Sequence, residues 1–257
     1  MPGHRFFIKQ LDPIIKDRAV NIQSIIGTEI LLDPSDSHHA KDVLRLAPKS
    51  EIEIILPEIK ARFRATIEFP NGCATAKLVE YVAPSAKINP VQAVAFASCK
   101  NDNNSFVIEK CCELGVEHIY LWLADRSIAR WDKDPEAKLS RYRKIAEAGA
   151  KQCGRSNIPT VTLSNSLQEV IETSQRDSDA KWQLIYGALQ NDALNAQELP
   201  LLPSGACLII GPEGDLSERE ISLLRSFKAL PLSLGDLVLR SETAAIVGIV
   251  TINVAQG

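Results

Sequence analysis

Near its carboxyl end the chain carries two strand-like runs, and each leads through a glycine-bearing loop into a helix-like segment. The first is an apolar run with a Gly-Pro-Glu-Gly loop at residues 207–214. Ser217, with Glu220 three residues later, forms a capping box, which predicts that a helix begins there. The second run, at residues 230–235, precedes a helix predicted over residues 244–255. Because apolar residues occupy nearly every side of that final helix, we expect it to be buried.

Two strand–loop–helix units in tandem predict a ligand site. They place two helix N-termini and two glycine turns at one edge of a sheet, where free main-chain N–H groups can hold a ligand. In open α/β sheets, ligands bind outside the carboxyl ends of the strands. The alternative is that Gly211 and Gly214 only make a tight turn and that Glu213 only shapes the loop. A charged residue after each loop, Glu213 and Arg240, favours the site.

Strands alternate with helices from about residue 91 onward, which predicts a parallel sheet with helices on both faces. The predicted strands cover residues 91–98, 118–123, 160–163 and 182–189, and the predicted helices cover 103–115, 135–152 and 166–173. Before residue 82 the pattern is β-rich, with predicted strands at 5–8, 51–56, 61–67 and 73–81 and one short helix capped by Ser35 or Asp36. A proline-containing segment at 81–90 is the predicted linker, so we expect two domains, 1–82 and 83–257.

Composition excludes several classes of protein. No run approaches the roughly 20 apolar residues that a membrane helix needs, and the first residues show no export-signal pattern, so we expect a cytoplasmic protein. The six cysteines show no C-x-x-C spacing and predict reduced, buried thiols. The adjacent His38 and His39 have no further ligand at suitable spacing, so we expect no metal site.

The net charge of −3 does not by itself indicate a nucleic-acid-binding protein, but the charge is unevenly distributed. Between Arg126 and Arg155 there are nine Lys or Arg residues and four Asp or Glu residues. This stretch is either a solvated helix face or a surface for a phosphate backbone. The motifs of nucleophile elbows, zinc proteases and phosphate loops are missing from the sequence, as is the Rossmann fingerprint.

The C-terminal motifs resemble the signature of the SPOUT methyltransferases, and more narrowly that of the RsmE family, which methylates N3 of a uridine in 16S ribosomal RNA. The motifs are Gly-Pro-Glu-Gly at 211–214, Leu-Gly at 234–235 and Leu-Arg-Ser-Glu-Thr-Ala at 239–244. Further similar blocks are Arg-Phe-Phe at 5–7, His-His at 38–39, Val-Leu-Arg-Leu at 43–46, Glu-Lys at 109–110, Glu-Leu-Gly-Val at 113–116, Arg-Ser at 126–127, and Gln152 with Arg155 and Pro159. The chain departs from the family pattern at Asp215 and Leu216, where the family has a second glycine and an aromatic, and at Ser241.

The resemblance implies a PUA-like RNA-binding β-barrel followed by an α/β SPOUT domain with a C-terminal trefoil knot. It also implies S-adenosylmethionine as the cofactor, held by three loops at 187–189, 210–215 and 232–240. The cofactor-binding residues that it predicts are Gly187, Leu189, Ile210, Gly211, Glu213, Gly214, Leu234, Gly235, Leu237, Leu239, Arg240, Thr243 and Ala244.

The resemblance and the chemistry of a uridine imide together predict two catalytic residues. Arg240 would stabilise the negative charge that develops on the base, and Glu242 would accept the N3 proton or orient Arg240. The alternative is that the two residues form a structural pair that caps the final helix.

The implied partners are 16S ribosomal RNA, or the small ribosomal subunit, and a second copy of the chain in a homodimer. The predicted RNA-binding residues are Arg5, Arg45, Arg62, Arg64, Arg126, Gln152 and Arg155, of which the resemblance places the last three as RNA or active-site contacts. Two other functions remain open: a SPOUT enzyme acting on tRNA or on a ribose 2′-hydroxyl, and a non-catalytic ribosome-assembly factor with the same fold. Asp215 beside the cofactor loop is the feature that favours the non-catalytic factor.

Overall fold

The computed structural model describes residues 4–8, 11–18, 21–83, 89–98, 103–127, 130–131, 134–178, 181–189 and 192–257. Contacts divide the chain into two units. The first comprises Met1–Lys87 with Gly154–Ile158, and the second comprises Ile88–Cys153 with Pro159–Gly257. Half of the predicted linker, residues 84–88, lies outside the described residues.

The first unit is built on a five-stranded mixed sheet in the order β1-β3-β4-β5-β2. Its strands are β1 (His4–Phe7), β2 (Glu29–Leu31), β3 (Glu51–Leu56), β4 (Ala61–Glu68) and β5 (Thr75–Val82). Its helices are α1 (Pro13–Arg18) and α2 (Pro34–His38), with single turns at Ile22–Ile25, Pro57–Ile59 and Pro70–Gly72 and a π-helical turn at His39–Val43. β1 runs parallel to β3, and the other pairs are antiparallel.

Alternation along β4 explains the core of this unit. Ala61, Phe63, Ala65 and Ile67 are buried, and the intervening residues point outward, as expected for a sheet with one covered face. The predicted turn before β5 is confirmed, since Asn71 has φ of 52° and Gly72 has φ of 82°. The small β-rich N-terminal unit predicted from the sequence is therefore present.

The helix cap predicted at Ser35 or Asp36 is wrong. Asp33 is the N-cap, and its carboxylate accepts a hydrogen bond of 2.8 Å from the Asp36 amide. The following Pro34 explains the shift, because proline is favoured in the first turn of a helix and lacks an N–H that would need a partner.

The second unit is an α/β domain with a six-stranded sheet in the order β11-β9-β10-β6-β7-β8, in which every pair of neighbours is parallel. Its strands are β6 (Val91–Ala97), β7 (His118–Trp122), β8 (Thr160–Ser164), β9 (Gln183–Gly187), β10 (Ala206–Ile210) and β11 (Leu230–Leu232). Its helices are α3 (Asn103–Glu113), α4 (Pro135–Cys153), α5 (Leu167–Asp177), α6 (Glu218–Ser226) and α7 (Ser241–Ala255), with a 3₁₀ turn at Ala196–Glu198.

Helices cover both faces of this sheet, as predicted. On one face, Ala95 and Ile209 belong to a buried cluster that includes Ile171 of α5 and Leu224 of α6. On the other face, Gly248 of α7 lies against the side chain of Leu208. Because both faces are covered, the central strands β6 and β10 are almost entirely apolar, which explains why their runs are nearly continuous in the sequence.

The C-terminal segment contacts the connection between β9 and β10. Leu194 of that connection pairs with Leu232 of β11. Farther along it, the Leu202 amide donates to Gln256 Oε1 at 2.9 Å, and Gln256 Nε2 donates to the Pro200 carbonyl at 3.1 Å. The final segment is thus held at both of its ends by an earlier loop, an arrangement that suits the predicted knot.

The final helix differs from the prediction. It begins at Ser241, three residues earlier than expected, and only one side of it is buried, through residues such as Ala245, Ile249 and Ile252. Val254, near its end, is 75% exposed. Within the described ranges, no helix is long and apolar enough to cross a membrane.

Candidate functional site

A cavity opens at the carboxyl edge of the parallel sheet, where β9, β10 and β11 end next to one another. It encloses about 600 Å³ of space when the open solvent at its mouth is counted. The lining residues are Gly187, Ala188, Leu189, Ile210, Gly211, Pro212, Glu213, Asp215, Leu234, Gly235, Leu237, Val238, Leu239, Ser241 and Ala244. The structure therefore brings together the three loops predicted from the sequence.

Most of the predicted cofactor-binding residues line this cavity. Of the predicted set, Gly214, Arg240 and Thr243 lie next to lining residues in the chain but do not belong to the described lining. Ser241 lines the cavity but was not predicted to do so. Its side chain is buried at the first position of α7, and the sequence marked it only as a departure from the family pattern.

Gly187 lets the three loops approach closely. A Cβ atom at this position would lie 3.2 Å from Leu234 Cδ1 and 3.3 Å from Ile210 Cδ1. Any larger residue would force these two side chains to shift. Gly235 is needed for its backbone conformation and not for space, since its φ of +116° lies in a region that L side chains rarely adopt.

Asp215 takes the conformation that glycine would take in its place. Its φ is +62°, and Asp tolerates this region better than most residues because its short side chain bonds locally. The Leu216 amide donates to Asp215 Oδ1 at 2.7 Å, and the Asp215 amide donates to the Pro212 carbonyl at 3.0 Å. The departure from the family pattern at Asp215 is thus accommodated within the turn.

The capping box at the start of α6 is confirmed. Ser217 Oγ accepts from the Glu220 amide at 3.2 Å, and Glu220 accepts from the Ser217 amide at 2.7 Å. The start of α7 is different, because the Arg240 side chain makes no capping hydrogen bond there. The first N–H groups of α7 are thus not capped by Arg240, and Ser241 and Ala244 of this helix line the cavity.

The two predicted catalytic residues lie at the start of α7 but do not pair with each other. Arg240 is exposed, and no ion pair or hydrogen bond joins it to Glu242 in the part of the chain that the structure describes. Glu242 instead accepts a hydrogen bond of 3.3 Å from Asn103 Nδ2 at the start of α3. The sequence did not single out Asn103, because nothing in its local pattern marks it as a neighbour of α7.

The predicted RNA-binding residues have different environments. In the first unit, Arg5 is half-buried and bonds Glu53 at 2.6 Å, whereas Arg64 is exposed and pairs with Glu80 at 2.8 Å. The other candidates of that unit are the exposed Arg45, the half-buried Arg62, and Arg155, whose Nε donates to Asn157. In the second unit, Gln152 is exposed near the end of α4, and Arg126 donates to main-chain carbonyls of the cavity loop.

Two further observations bear on the chemistry of the second unit. Burial raises the pKa of the Cys207 thiol on β10 to about 12, so this group is neutral and a poor nucleophile near pH 7. In the described ranges, no group of three or more His, Cys, Asp or Glu side chains is arranged to hold a metal ion. The cavity is lined by apolar side chains, main-chain groups, Ser241 and the side chains of Glu213 and Asp215, and Arg126 and Arg240 lie next to its loops.

Comparisons with a family profile and with known proteins identify the same family. A family profile described as an RNA methyltransferase domain matches residues 87–253. The chain is 27% identical to ribosomal RNA small subunit methyltransferase E of Bacillus subtilis, with 86% of this chain and 85% of the relative covered. It is 28% identical to the protein of the same name from Synechocystis, with 90% and 75% covered.

Solved structures with the same architecture also carry the cofactor. A putative methyltransferase from Legionella pneumophila, in complex with bound SAM, is 25% identical, with 99% of this chain and 98% of that chain covered, at a TM-score of 0.77. The ribosomal RNA small subunit methyltransferase E from Neisseria gonorrhoeae, bound to S-adenosyl methionine, is 22% identical, with 97% and 96% covered, at a TM-score of 0.75. At 22% identity, the similarity to the Neisseria gonorrhoeae protein shows only that the two chains share a fold.

Proposed function

Because the chain belongs to the family defined by the RNA methyltransferase domain, we propose that it transfers a methyl group from S-adenosylmethionine to N3 of a uridine in 16S ribosomal RNA. The resemblance to the RsmE family is confirmed by relatives of that name, which align with most of the chain. The choice of uridine N3 rests on the function of that family. The observation that carries the proposal is the cavity formed by the three loops that the family uses for its methyl donor.

The residues of the cavity fit S-adenosylmethionine. Apolar side chains, among them Leu189, Leu234 and Leu239, supply walls for an adenine ring, and neighbouring main-chain groups can bond its edge. A Cβ at Gly187 would crowd Leu234 and Ile210, two of the residues that line the cavity. When bound, S-adenosylmethionine supplies an already activated methyl group, so the protein contributes mainly binding and alignment.

The residues at the start of α7 supply the remaining chemistry. Uridine N3 is a weakly acidic imide, and its proton must leave before or during methyl transfer. The exposed Arg240 guanidinium stabilises the negative charge that develops on the base. Glu242, held by Asn103, accepts the N3 proton. The alternative of a structural pair that caps the final helix is less favoured, because among the described residues no hydrogen bond or ion pair joins Arg240 to Glu242 and the Arg240 side chain does not cap the helix.

The N-terminal unit binds the RNA in this proposal, through Arg45, Arg62 and the other arginines predicted from the sequence, with the domain boundary near residue 82. A second copy of the chain covers the apolar surface of α3 and α7 that remains exposed. Phe106 and Val250 are each 43% exposed and Val254 is 75% exposed, which suits a symmetric contact. A ribosomal substrate places the reaction in the cytoplasm.

Arg240→Ala tests the proposal. Purified wild-type and variant proteins are given small ribosomal subunits and S-adenosylmethionine, and the RNA is digested for nucleoside mass spectrometry and primer extension. We expect N3-methyluridine with the wild type and a rate about 10²- to 10³-fold lower with the variant, because a positioned charge stabiliser is lost. Since Arg240 lies outside the cavity lining, cofactor affinity should change little.

Arg219→Ala is the matched control, because Arg219 is an exposed arginine on α6. Near wild-type methylation by Arg240→Ala would remove Arg240 from the mechanism. A methylated ribose or tRNA product would favour the other branch of the SPOUT enzymes. If calorimetry detected no binding of S-adenosylmethionine to the wild type, the non-catalytic assembly factor would be the better reading.

A further inference from the structure

The turn that follows β7 contacts the cavity loop between β10 and α6, at residues 211–217. Arg126 Nη1 donates to the carbonyl oxygens of Gly214 at 3.1 Å and of Leu216 at 3.3 Å. The two acceptors flank Asp215, the residue with φ of +62° that lines the cavity. One guanidinium thus bonds the main chain on both sides of the turn.

A second set of contacts joins the same two segments. The Glu220 carboxylate is only 4% exposed, and it accepts from the Asp125 amide at 2.8 Å as well as from the Ser217 amide at 2.7 Å. Ser217 Oγ donates to Asp125 Oδ2 at 2.7 Å. The capping box of α6 therefore includes a third partner from the β7 turn. Burial of a carboxylate is costly without such donors, so these contacts hold the two segments together.

We propose that Asp125 and Arg126 are positioning residues, which hold the cavity loop in the conformation that receives the methyl donor. The inference rests on the proposed function only in naming S-adenosylmethionine as the ligand. Asp125 fixes the end of the loop at Ser217, and Arg126 fixes the turn around Asp215. Arg126 then acts through the main chain of the loop and not through a phosphate of the RNA, the role that the resemblance predicted for it.

The test compares Arg126→Ala and Arg126→Lys with the wild type, with Arg219→Ala as the control. Affinity for S-adenosylmethionine is measured by calorimetry, and affinity for ribosomal RNA is measured without cofactor at two salt concentrations. We expect Arg126→Ala to weaken cofactor binding about tenfold, because hydrogen bonds from a charged group are lost. RNA affinity and its salt dependence should stay the same, and Arg126→Lys should recover part of the loss.

Glu220→Gln tests the Asp125 side of the contact, with Glu218→Gln as its control, since Glu218 is exposed in the same helical turn. Hydrogen exchange at the amides of Asp215 and Leu216 should become faster in both Arg126→Ala and Glu220→Gln. This readout depends on loop mobility and needs neither cofactor nor RNA. Both variants are measured well below their unfolding temperatures, so that a change in global stability does not imitate the effect.

Unchanged cofactor affinity together with a lower RNA affinity in Arg126→Ala would overturn the inference and return Arg126 to the RNA surface. Unchanged exchange at Asp215 and Leu216 would overturn it as well. If the wild type itself bound no S-adenosylmethionine, the proposed function would fail. The exchange rates would then still decide whether Arg126 holds the loop.

Discussion

The side chains of Asn103 and Glu242 meet at 3.3 Å, which joins the start of α3 to the first turn of α7. This contact orients the Glu242 carboxylate beside the cavity, because α7 begins at the cavity with Ser241 in its lining. A neutral amide donor orients a carboxylate without forming an ion pair with it. Glu242, held by Asn103, is therefore better suited to act as a general base than a carboxylate paired with arginine would be.

We expect Glu242→Gln to lower kcat by about 10²-fold or more, since a positioned base typically contributes about 10²- to 10⁴-fold. Asn103→Ala should lower kcat less, because the carboxylate remains but loses its orientation. Single-turnover methylation at saturating cofactor and RNA measures both effects. A Glu242→Gln enzyme with the wild-type rate would show that another group, or water, accepts the N3 proton.

The positive φ of Asp215 leads to a second prediction. Asp215→Val should destabilise the protein by about 1–2 kcal/mol, because a β-branched side chain does not tolerate positive φ. Asp215→Gly should be nearly neutral, since glycine adopts this conformation without strain, which offsets the lost bond to the Leu216 amide. Urea unfolding measures both changes. An equal loss of stability in the two variants would mean that the side-chain bond, and not the backbone, dominates.

Gly187→Ala should weaken cofactor binding without unfolding the protein. The added Cβ would lie 3.2 Å from Leu234 Cδ1 and 3.3 Å from Ile210 Cδ1, so both side chains must shift by a few tenths of an ångström. Overpacking of this kind costs about 1–3 kcal/mol of folding stability, and cofactor affinity should fall by roughly tenfold because the shifted side chains belong to the cavity lining. Calorimetry with S-adenosylmethionine measures the loss, and thermal unfolding without cofactor is the control. Wild-type affinity in this variant would show that the cofactor does not reach the floor of the cavity.

The buried thiol of Cys207 predicts a loss of stability at alkaline pH. Burial raises its pKa from 9.0 to about 12, so the folded protein keeps the proton over a range in which the unfolded chain releases it. Stability from this group is thus fully present below pH 9 and is lost as pH rises toward 12, by up to about 1.4 kcal/mol per pH unit. Urea midpoints between pH 8 and pH 11 measure the slope.

Cys207→Ala should flatten this slope, although some alkaline dependence should remain. Burial and the hydrogen bond with Asp177 also raise the pKa of Tyr120, so that group contributes in the same direction. In the native wild type at neutral pH, alkylation should modify the exposed Cys73 and Cys153 and spare Cys207. Rapid alkylation of Cys207 would contradict the burial on which the prediction rests.

Features that depend on residues close in the chain could be predicted from the sequence. The capping box of Ser217 and Glu220, the turn at Asn71 and Gly72, and the apolar strands of the parallel sheet are all local patterns. Two wrong predictions also concern single helices. The cap before α2 was misplaced because Asp33 precedes a proline, and the final helix was expected to be buried because its composition does not show which side meets the sheet.

By itself, the sequence determined most kinds of element, the cap of α6 and the two glycine-bearing loops of the cavity, because these follow from burial periodicity and from backbone preferences of adjacent residues. The third loop, at 187–189, was implied by the resemblance to the RsmE family. Only the tertiary structure decided which loops meet. Asn103 and Glu242 are separated by 139 residues, and Asp125 and Glu220 by 95. Their contacts arise because the sheet places β10 between β9 and β6, out of chain order. That order depends on how the helices pack over both faces of the sheet, which no single segment encodes.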